Sequence, residues 1–278
     1  MTFNIVSDIH YQPVEEYTKR GVYTGNSIPC IIDFEPEKLK PADYLLIAGD
    51  LATDDIFEKA LDKVRKATEG KFKDIFYVLG NHDYYDCSFE KTKQRQNVYI
   101  EKQLEEKNIV LLGTTLWTPV PKVDEREVTR RMNDFRAIPN WNIDEVREAY
   151  NCESAWLREK VKHYKDLGKK VIVMTHHNPR IETHPEFEMH KKWWAKQIAY
   201  NPKLEEFWGV HASYYVTDRS CDDIKPDIWI SGHHHTKPVD MTIDGVRYIR
   251  NTIGYSGDWF GWHPQLKQDR WYDFVLEV

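Results

Sequence analysis

This chain has no close pair of cysteines. Its four, Cys30, Cys87, Cys152 and Cys221, are scattered and form no Cys-x-x-Cys. That spacing argues against a disulfide framework and for reduced thiols in a cytosolic protein. No apolar run approaches the length of a membrane span,. The start, Met1-Thr2-Phe3-Asn4-Ile5-Val6, has no basic segment and runs straight into a strand-like stretch, so no signal peptide is expected,. A cytoplasmic location and no membrane partner are therefore the expectation. Basic residues are not in excess either. Lys and Arg number 39 against 45 Asp and Glu, a formal charge of −6 with no basic tail. No broad electrostatic footprint for nucleic acid is visible, so such a partner is possible through a local patch but not favoured. Internal repeats, low-complexity segments and linkers are missing too. The expectation is one domain over residues 1–278. Nothing in the sequence sets an oligomeric state.

What is present is ordinary in bulk and unusual in detail. Hydrophobic residues make up 41% and charged residues 30%, the balance of a soluble globular chain,. There are ten tryptophans, several in loop-like segments, which suggests aromatic walls around a cleft. The stretch Ser231-Gly232-His233-His234-His235 follows the apolar run Ile228-Trp229-Ile230, which reads as the end of a buried strand. Neutral imidazole is a common ligand for borderline transition metals. In an extended loop i and i+2 share a face, so His233 and His235 can converge while His234 points aside. The competing reading is a polar loop whose histidines hold nothing.

The same grammar recurs along the chain. Phe3–Val6 leads into Ser7-Asp8-Ile9-His10, with Asp8 and His10 at i and i+2. Tyr44–Ala48 ends in Gly49-Asp50, where a plain turn Asp is the alternative,. Asp74–Leu79 runs into Gly80-Asn81-His82-Asp83, where Asn81 alone would pass for a turn residue. Lys170–Thr175 ends in His176-His177-Asn178-Pro179. Between these strands, helical spacing predicts helices from Thr53 or Asp54 to about Ala67, over 88–107, and from Asp144 to Leu167 with Gly168 as the stop,. Ile109–Leu112 and Thr114–Trp117 read as two strands broken at Gly113, and Trp271–Val278 as a last strand. Asp244-Gly245 between alternating apolar runs predicts a two-residue hairpin,. Residues 11–30 read as a loop that could border a site. Segments 118–145 and 180–212 read as lid or rim insertions, since loops of that length are more often functional than idle,. Arg130, Arg131 and Arg136 could meet an anion there or be ordinary surface charges. His184, His190 and His211 read as surface or packing histidines.

Strands alternating with helices imply βα units, an α/β fold and a largely parallel core. In such sheets sites form along the carboxyl ends of the strands. Five groups of ligand-type residues would then meet there, a far stronger signal than any one of them.

Their order and spacing resemble the calcineurin-like metallophosphoesterase superfamily. Its blocks are Asp-x-His, Gly-Asp, Gly-Asn-His-Asp/Glu, a later His, and Gly-His-x-His. They stand here as Asp8-Ile9-His10, Gly49-Asp50, Gly80-Asn81-His82-Asp83, His176 and Gly232-His233-His234-His235. Gly113-Thr114-Thr115-Leu116-Trp117, Trp229-Ile230 and Tyr248-Ile249-Arg250-Asn251 look like a bacterial and phage branch of phosphohydrolases. The resemblance implies a four-layer αββα sandwich, two mixed sheets flanked by helices with the site at the strand C-terminal ends. It implies two divalent or trivalent metal ions, such as Mn, Fe or Zn. Asp8, His10 and His235 would hold one, Asn81, His176 and His233 the other, and Asp50 would bridge both. His176 is preferred to His177 because it directly follows its strand, although the family's His-His-Pro-Pro is His-His-Asn-Pro here.

Such a pair of cations suits hydrolysis of a phosphoester, an anion that repels hydroxide. His82 follows a ligand and is not needed as one, so it is assigned as general acid or phosphate-orienting group. Asp83 or Asp86 would be the partner that fixes its ring. The expected substrate is a small-molecule or nucleotide phosphoester, as phosphatase or phosphodiesterase. Rival readings are a nuclease of the double-strand-break-repair type, a non-catalytic scaffold with the same fold, and an unrelated mononuclear hydrolase.

Overall fold

The computed structural model describes residues 1–11, 34–95, 98–104, 108–120, 122, 125–183, 220–236, 238–254 and 272–278. The main elements, in chain order, are β1 (Thr2–Val6), β2 (Tyr44–Ala48), α1 (Phe57–Ala67), β3 (Asp74–Val78), α2 (Phe89–Arg95), β4 (Ile100–Leu104) and β5 (Ile109–Thr114). They continue with α3 (Glu125–Arg131), α4 (Asp134–Ala137), α5 (Ile143–Asp166), β6 (Lys170–Thr175), β7 (Ile228–Ser231), β8 (Val239–Ile243), β9 (Val246–Arg250) and β10 (Val275–Glu277).

The strands form two sheets. The smaller has the order β10-β1-β2-β3, the larger β4-β5-β6-β7-β9-β8. Both are mixed: β1, β2 and β3 run parallel with β10 antiparallel beside β1. In the larger sheet β5, β6, β7 and β9 run parallel between the antiparallel edges β4 and β8. The inner strands are apolar on both faces, and the period-2 alternation sorts their side chains. Phe3, Ile5, Leu46 and Val78 face Leu111, Ile172, Met174 and Ile230 in a core between the sheets. The neighbours Leu45, Ile47, Val110, Val171, Val173 and Trp229 point the other way and join the apolar faces of α1 and α5. Each fully buried Leu or Ile contributes about 1.5–3 kcal/mol. This is the flanked two-sheet architecture that the resemblance implies.

Helix α5 follows its sequence signals. Asn142 accepts from the N–H groups of Asp144 and Glu145, and the Glu145 side chain accepts from the Asn142 N–H, a complete capping box,. Gly168 closes it in the left-handed region at φ +70°,. The hairpin also forms as expected. Asp244 and Gly245 have φ of 49° and 82° between β8 and β9, the two positive values of a type I′ turn.

Three expectations need correction. The helix expected over 88–107 is only α2 at its start. Residues 100–104 form β4, paired antiparallel to β5. Ile100 and Leu104 are buried at its ends and Glu101, Lys102 and Gln103 are exposed. Apolar residues four apart fit a helix, but they also fit a short charged strand that covers the edge of buried β5. Strand β5 runs unbroken through Gly113 to Thr114. The second predicted run ends there, and Gly113 lets the two sheets approach: a Cβ at residue 113 would stand 2.8 Å from Val78 Cγ1 of the facing sheet. The 118–145 segment is not structureless, since it carries α3, α4 and the start of α5. Of the 180–212 segment only residues 180–183 are described. The 11–30 loop, apart from Tyr11, and His184, His190 and His211 lie outside the described residues.

Candidate metal centre

The two sheets bring five strand ends together. β1, β2 and β3 deliver Asp8 and His10, Asp50, and Asn81 and His82 from one side. β6 and β7 deliver His176, His233 and His235 from the other. The turns that do this are tight: Asp8, His10, Asp50 and His233 have φ of 55°, 47°, 54° and 64°. The left-handed region costs a non-glycine residue on the order of 1–2 kcal/mol. Cross-strand hydrogen bonds hold the backbone there: Asp8 N to Gly49 O at 3.0 Å, His10 N to Asp50 O at 2.9 Å and Gly254 N to Asp8 O at 2.9 Å.

Two groups of donor atoms share one carboxylate. In the first, His10 Nε2 lies 3.1 Å from His235 Nε2 and His235 Nε2 lies 3.3 Å from Asp8 Oδ1. In the second, His176 Nε2 lies 3.0 Å from Asn81 Oδ1 and 3.1 Å from His233 Nδ1. Asp50 Oδ2 stands between the groups, 3.7 Å from His10 Nε2 and 3.4 Å from His176 Nε2. In each of the sets Asp8/His10/His235 and Asp50/His176/His233 the ligand atoms lie within 4.8 Å of one another.

These residues fit metal ions on their own chemistry. Two imidazole nitrogens that face each other at 3.1 Å need a proton or a cation between them. Asp8 Oδ1 is buried without a hydrogen-bond partner among the described residues. Burial, helped by neighbouring rings, holds His10 and His233 well below the usual imidazole range, so both are neutral. Burial opposes ionisation of Asp50, but the rings of His176, His82 and His10 outweigh it and hold its carboxyl well below the usual range. Burial also opposes protonation of His176, but the Asp50 carboxylate outweighs it and lifts the ring to about 9. His176 Nδ1 lies 3.0 Å from the Ala48 carbonyl. A carbonyl can only accept, so Nδ1 carries a proton and Nε2 is the atom aimed at the cluster.

The motif glycines make room for ligands from other strands. A Cβ on Gly49 would stand 2.4 Å from His176 Nδ1, and one on Gly80 would stand 2.1 Å from Asp50 Oδ1. Asp83 has a different place from the one expected. Its carboxylate accepts from the backbone N–H of Asp50 at 2.8 Å, Gly80 at 2.7 Å and Ala52 at 2.9 Å. It clamps the β2 turn onto the β3 turn, and both its oxygens are taken up by backbone rather than turned to the His82 ring. Burial and the nearby Asp50 push its carboxyl up to about 8 against the pull of those N–H groups.

The His82 ring stacks on Tyr85 at 4.2 Å and meets the His10 ring edge-on at 4.5 Å. Its backbone N–H donates to Asp50 Oδ1 at 2.9 Å. His10, Asp50 and His82 also converge within 4.8 Å, so His82 borders the same space. Burial holds its ring below the usual range. His177, the alternative to His176, is fully buried with its ring 5.4 Å from Trp117 and 4.4 Å from His233, and neither ring nitrogen has a hydrogen-bond partner among the described residues. His234 turns away, with Nδ1 2.6 Å from Asn178 Nδ2. The candidate anion ligand Arg136 donates to the backbone carbonyl of Arg130 at 2.8 Å on an exposed surface.

The family model for calcineurin-like phosphoesterases matches residues 1–237, which takes in every one of these site residues. The chain belongs to the calcineurin-like phosphoesterase family. This phosphoesterase is 23% identical over 284 residues to an uncharacterized protein of Acanthamoeba polyphaga mimivirus, covering 93% of each chain. Its fold is similar to that of a phosphopantetheinyl hydrolase from Mycobacterium tuberculosis. The TM-score is 0.58 and the identity 15%, over 95% of this chain and 93% of the other. A dimetal phosphatase from Danio rerio matches at TM-score 0.45 and 14% identity, over 90% and 86% of the chains. No helix among the described residues is long and apolar enough to cross a membrane.

Tyr85 and Asp134 also belong to the site, although no motif marks them. Tyr85 OH donates to Asp134 Oδ1 at 2.6 Å, and the Asn81 amide nitrogen donates to the same oxygen at 2.8 Å. Burial pushes the Asp134 carboxyl up while those two donors pull it down. The only sequence signal was the length of the segment around Asp134.

Proposed function

We propose that this calcineurin-like phosphoesterase hydrolyses a phosphomonoester or phosphodiester at a centre of two cations. The observation that carries the reading is Asp50 Oδ2, poised between His10 at 3.7 Å and His176 at 3.4 Å. Asp8, His10 and His235 would hold one ion, and Asn81, His176 and His233 the other, with Asp50 shared. Cations held there supply positive charge to a phosphoryl group and make a water molecule acidic enough to attack it near neutral pH.

The chain's own groups do the rest. The Ala48 carbonyl keeps the proton of His176 on Nδ1 and leaves Nε2 free for ligation. Asp83 and the His82 N–H hold Asp50 by backbone and by side chain, so its two oxygens have separate tasks. His82, whose ring stacks on Tyr85 beside the cluster, would orient the phosphoryl group or, in its protonated form, give a ring proton to the leaving oxygen,. The substrate class is a small-molecule or nucleotide phosphoester. The test is hydrolysis of p-nitrophenyl phosphate and bis-p-nitrophenyl phosphate by the purified protein with Mn²⁺, before and after chelation. Turnover that chelation abolishes supports the reading. Two bound metals with no turnover of any phosphate ester in a broad screen would count decisively against it.

A further inference from the structure

The 118–145 segment meets the centre at Asp134, at the first position of the short helix α4. It is 2% exposed. Its Oδ1 accepts from the Asn81 amide nitrogen at 2.8 Å and from Tyr85 OH at 2.6 Å. The same amide nitrogen also donates to Tyr85 OH at 3.2 Å. Asn81 Nδ2, Tyr85 OH and Asp134 Oδ1 therefore form a closed triangle, with the amide nitrogen turned toward both oxygens. The amide oxygen must then face the opposite way, and it lies 3.0 Å from His176 Nε2 and 3.1 Å from His233 Nδ1.

An asparagine can turn its amide by half a rotation at little intrinsic cost, so an Asn ligand needs something to choose which end faces the ion. Here a flip would set the Asn81 oxygen against the Asp134 carboxylate and present an NH2 group to the histidines. Two acceptors face to face in a buried site are strongly disfavoured. The turn carrying Asp134 is anchored to the turn carrying Asn81 and His82 by a second bond, from Asp86 N to Ala137 O at 2.9 Å.

We propose that Asp134 is a positioning residue for the second cation: it fixes the Asn81 amide with its oxygen toward His176 and His233. The inserted segment thereby completes the site. Through Tyr85, whose ring stacks on His82 at 4.2 Å, the same carboxylate also braces the general acid. The inference rests on reading the cluster as a two-cation centre.

Calorimetric titration of metal-free protein with Mn²⁺ tests it without reference to activity, with thermal unfolding of the metal-free variants as the folding control. Wild type is expected to bind two equivalents. Asp134→Leu, which keeps bulk and removes the acceptor, is expected to bind one site about 10–100-fold more weakly and leave the other unchanged, the usual effect of removing a partner that orients a ligand. Asn81→Asp supplies a better intrinsic ligand but sets it against Asp134. It is expected to bind that site more weakly than wild type, and Asp134→Asn in the same chain should restore it. That reversal depends on the pair alone and reads out even if Asp134→Leu fails to fold. A merely structural Asp134 would give no such rescue. Wild-type affinity in folded Asp134→Leu, or tighter binding in Asn81→Asp with no gain from the second change, overturns the proposal and leaves the two-cation reading intact. Wild type that binds no Mn²⁺ overturns both.

Discussion

Adding one methyl group at residue 80 should dismantle the shared carboxylate. An ideal Cβ there would stand 2.1 Å from Asp50 Oδ1, 2.6 Å from its backbone nitrogen and 2.8 Å from its Cγ. Neither side can easily retreat. The N–H groups of Gly80 and Asp50 both donate to Asp83 Oδ2, at 2.7 and 2.8 Å, so separating them breaks the clamp. Moving the carboxylate instead breaks its 2.9 Å bond from His82 N. Overpacking of this kind costs about 1–3 kcal/mol, and a lost hydrogen bond to a charged group costs about 1.5–3 kcal/mol. A destabilisation on the order of 3 kcal/mol follows, a fall in Tm of roughly 6–12 °C for a domain of this size. Because the displaced group is the one both ions would share, Gly80→Ala is expected to retain at most one Mn²⁺. Its ester turnover should drop by about 100-fold or more, the usual cost of a misplacement of about 1 Å. Differential scanning calorimetry, Mn²⁺ titration and p-nitrophenyl ester hydrolysis read the three effects. Gly168→Ala is the control. Its φ is +70° with no atom within 4 Å of an added Cβ, so only the backbone cost of about 1–2 kcal/mol applies and metal binding is untouched. Gly80→Ala with two equivalents of metal and ordinary turnover would refute the reasoning.

Other substitutions probe separate parts of the site. His82→Ala should keep both metals while turnover falls by about 10²–10⁴-fold; unchanged turnover, or a lost metal, would remove the assigned acid role. Asp50→Ala should lose metal outright, by elemental analysis of the purified variant. His176→Ala should also lose metal, whereas His177→Phe should keep both equivalents and melt no lower than wild type. It replaces two buried ring nitrogens without partners among the described residues by apolar surface of similar shape,. Loss of metal in His177→Phe would reverse the choice between the two histidines. Far from the site, Asp43 accepts from Thr2 N at 2.8 Å and pairs with Lys73 at 3.1 Å. The Thr2 backbone bond and Lys73 lower its carboxyl pKa below 3.8. Its contribution is therefore present above pH about 3.8 and is lost as pH falls through the folded-state value. Asp43→Asn should cost about 1 kcal/mol at neutral pH, and its gap in Tm to wild type should narrow as the pH is taken below about 3.8,. A constant gap down to pH 2 would contradict this.

Local pattern along the chain was enough to mark the candidate ligands. Strand, glycine and ligand recur in a local pattern, and local pattern is what a linear reading detects. Asp8, His10, Asp50, Asn81, His176, His233 and His235 were legible for that reason, as were the Gly168 helix stop, the Asp244-Gly245 turn and the turning aside of His234. Only the tertiary structure decided how the strands divide between two sheets, so that β1–β3 and β6–β7 approach the site from opposite sides. It also decided that residues 100–104 pair as an edge strand, because apolar residues four apart suit a helix or a short strand equally until β5 offers an edge. Asp83 and Asp134 show the limit most clearly. Both are acidic residues at the start of a short turn or helix, and nothing local separates them. One clamps backbone and the other aims an amide because of partners 31 to 53 residues away, and the direction of a carboxylate is set by what the folded chain places in front of it.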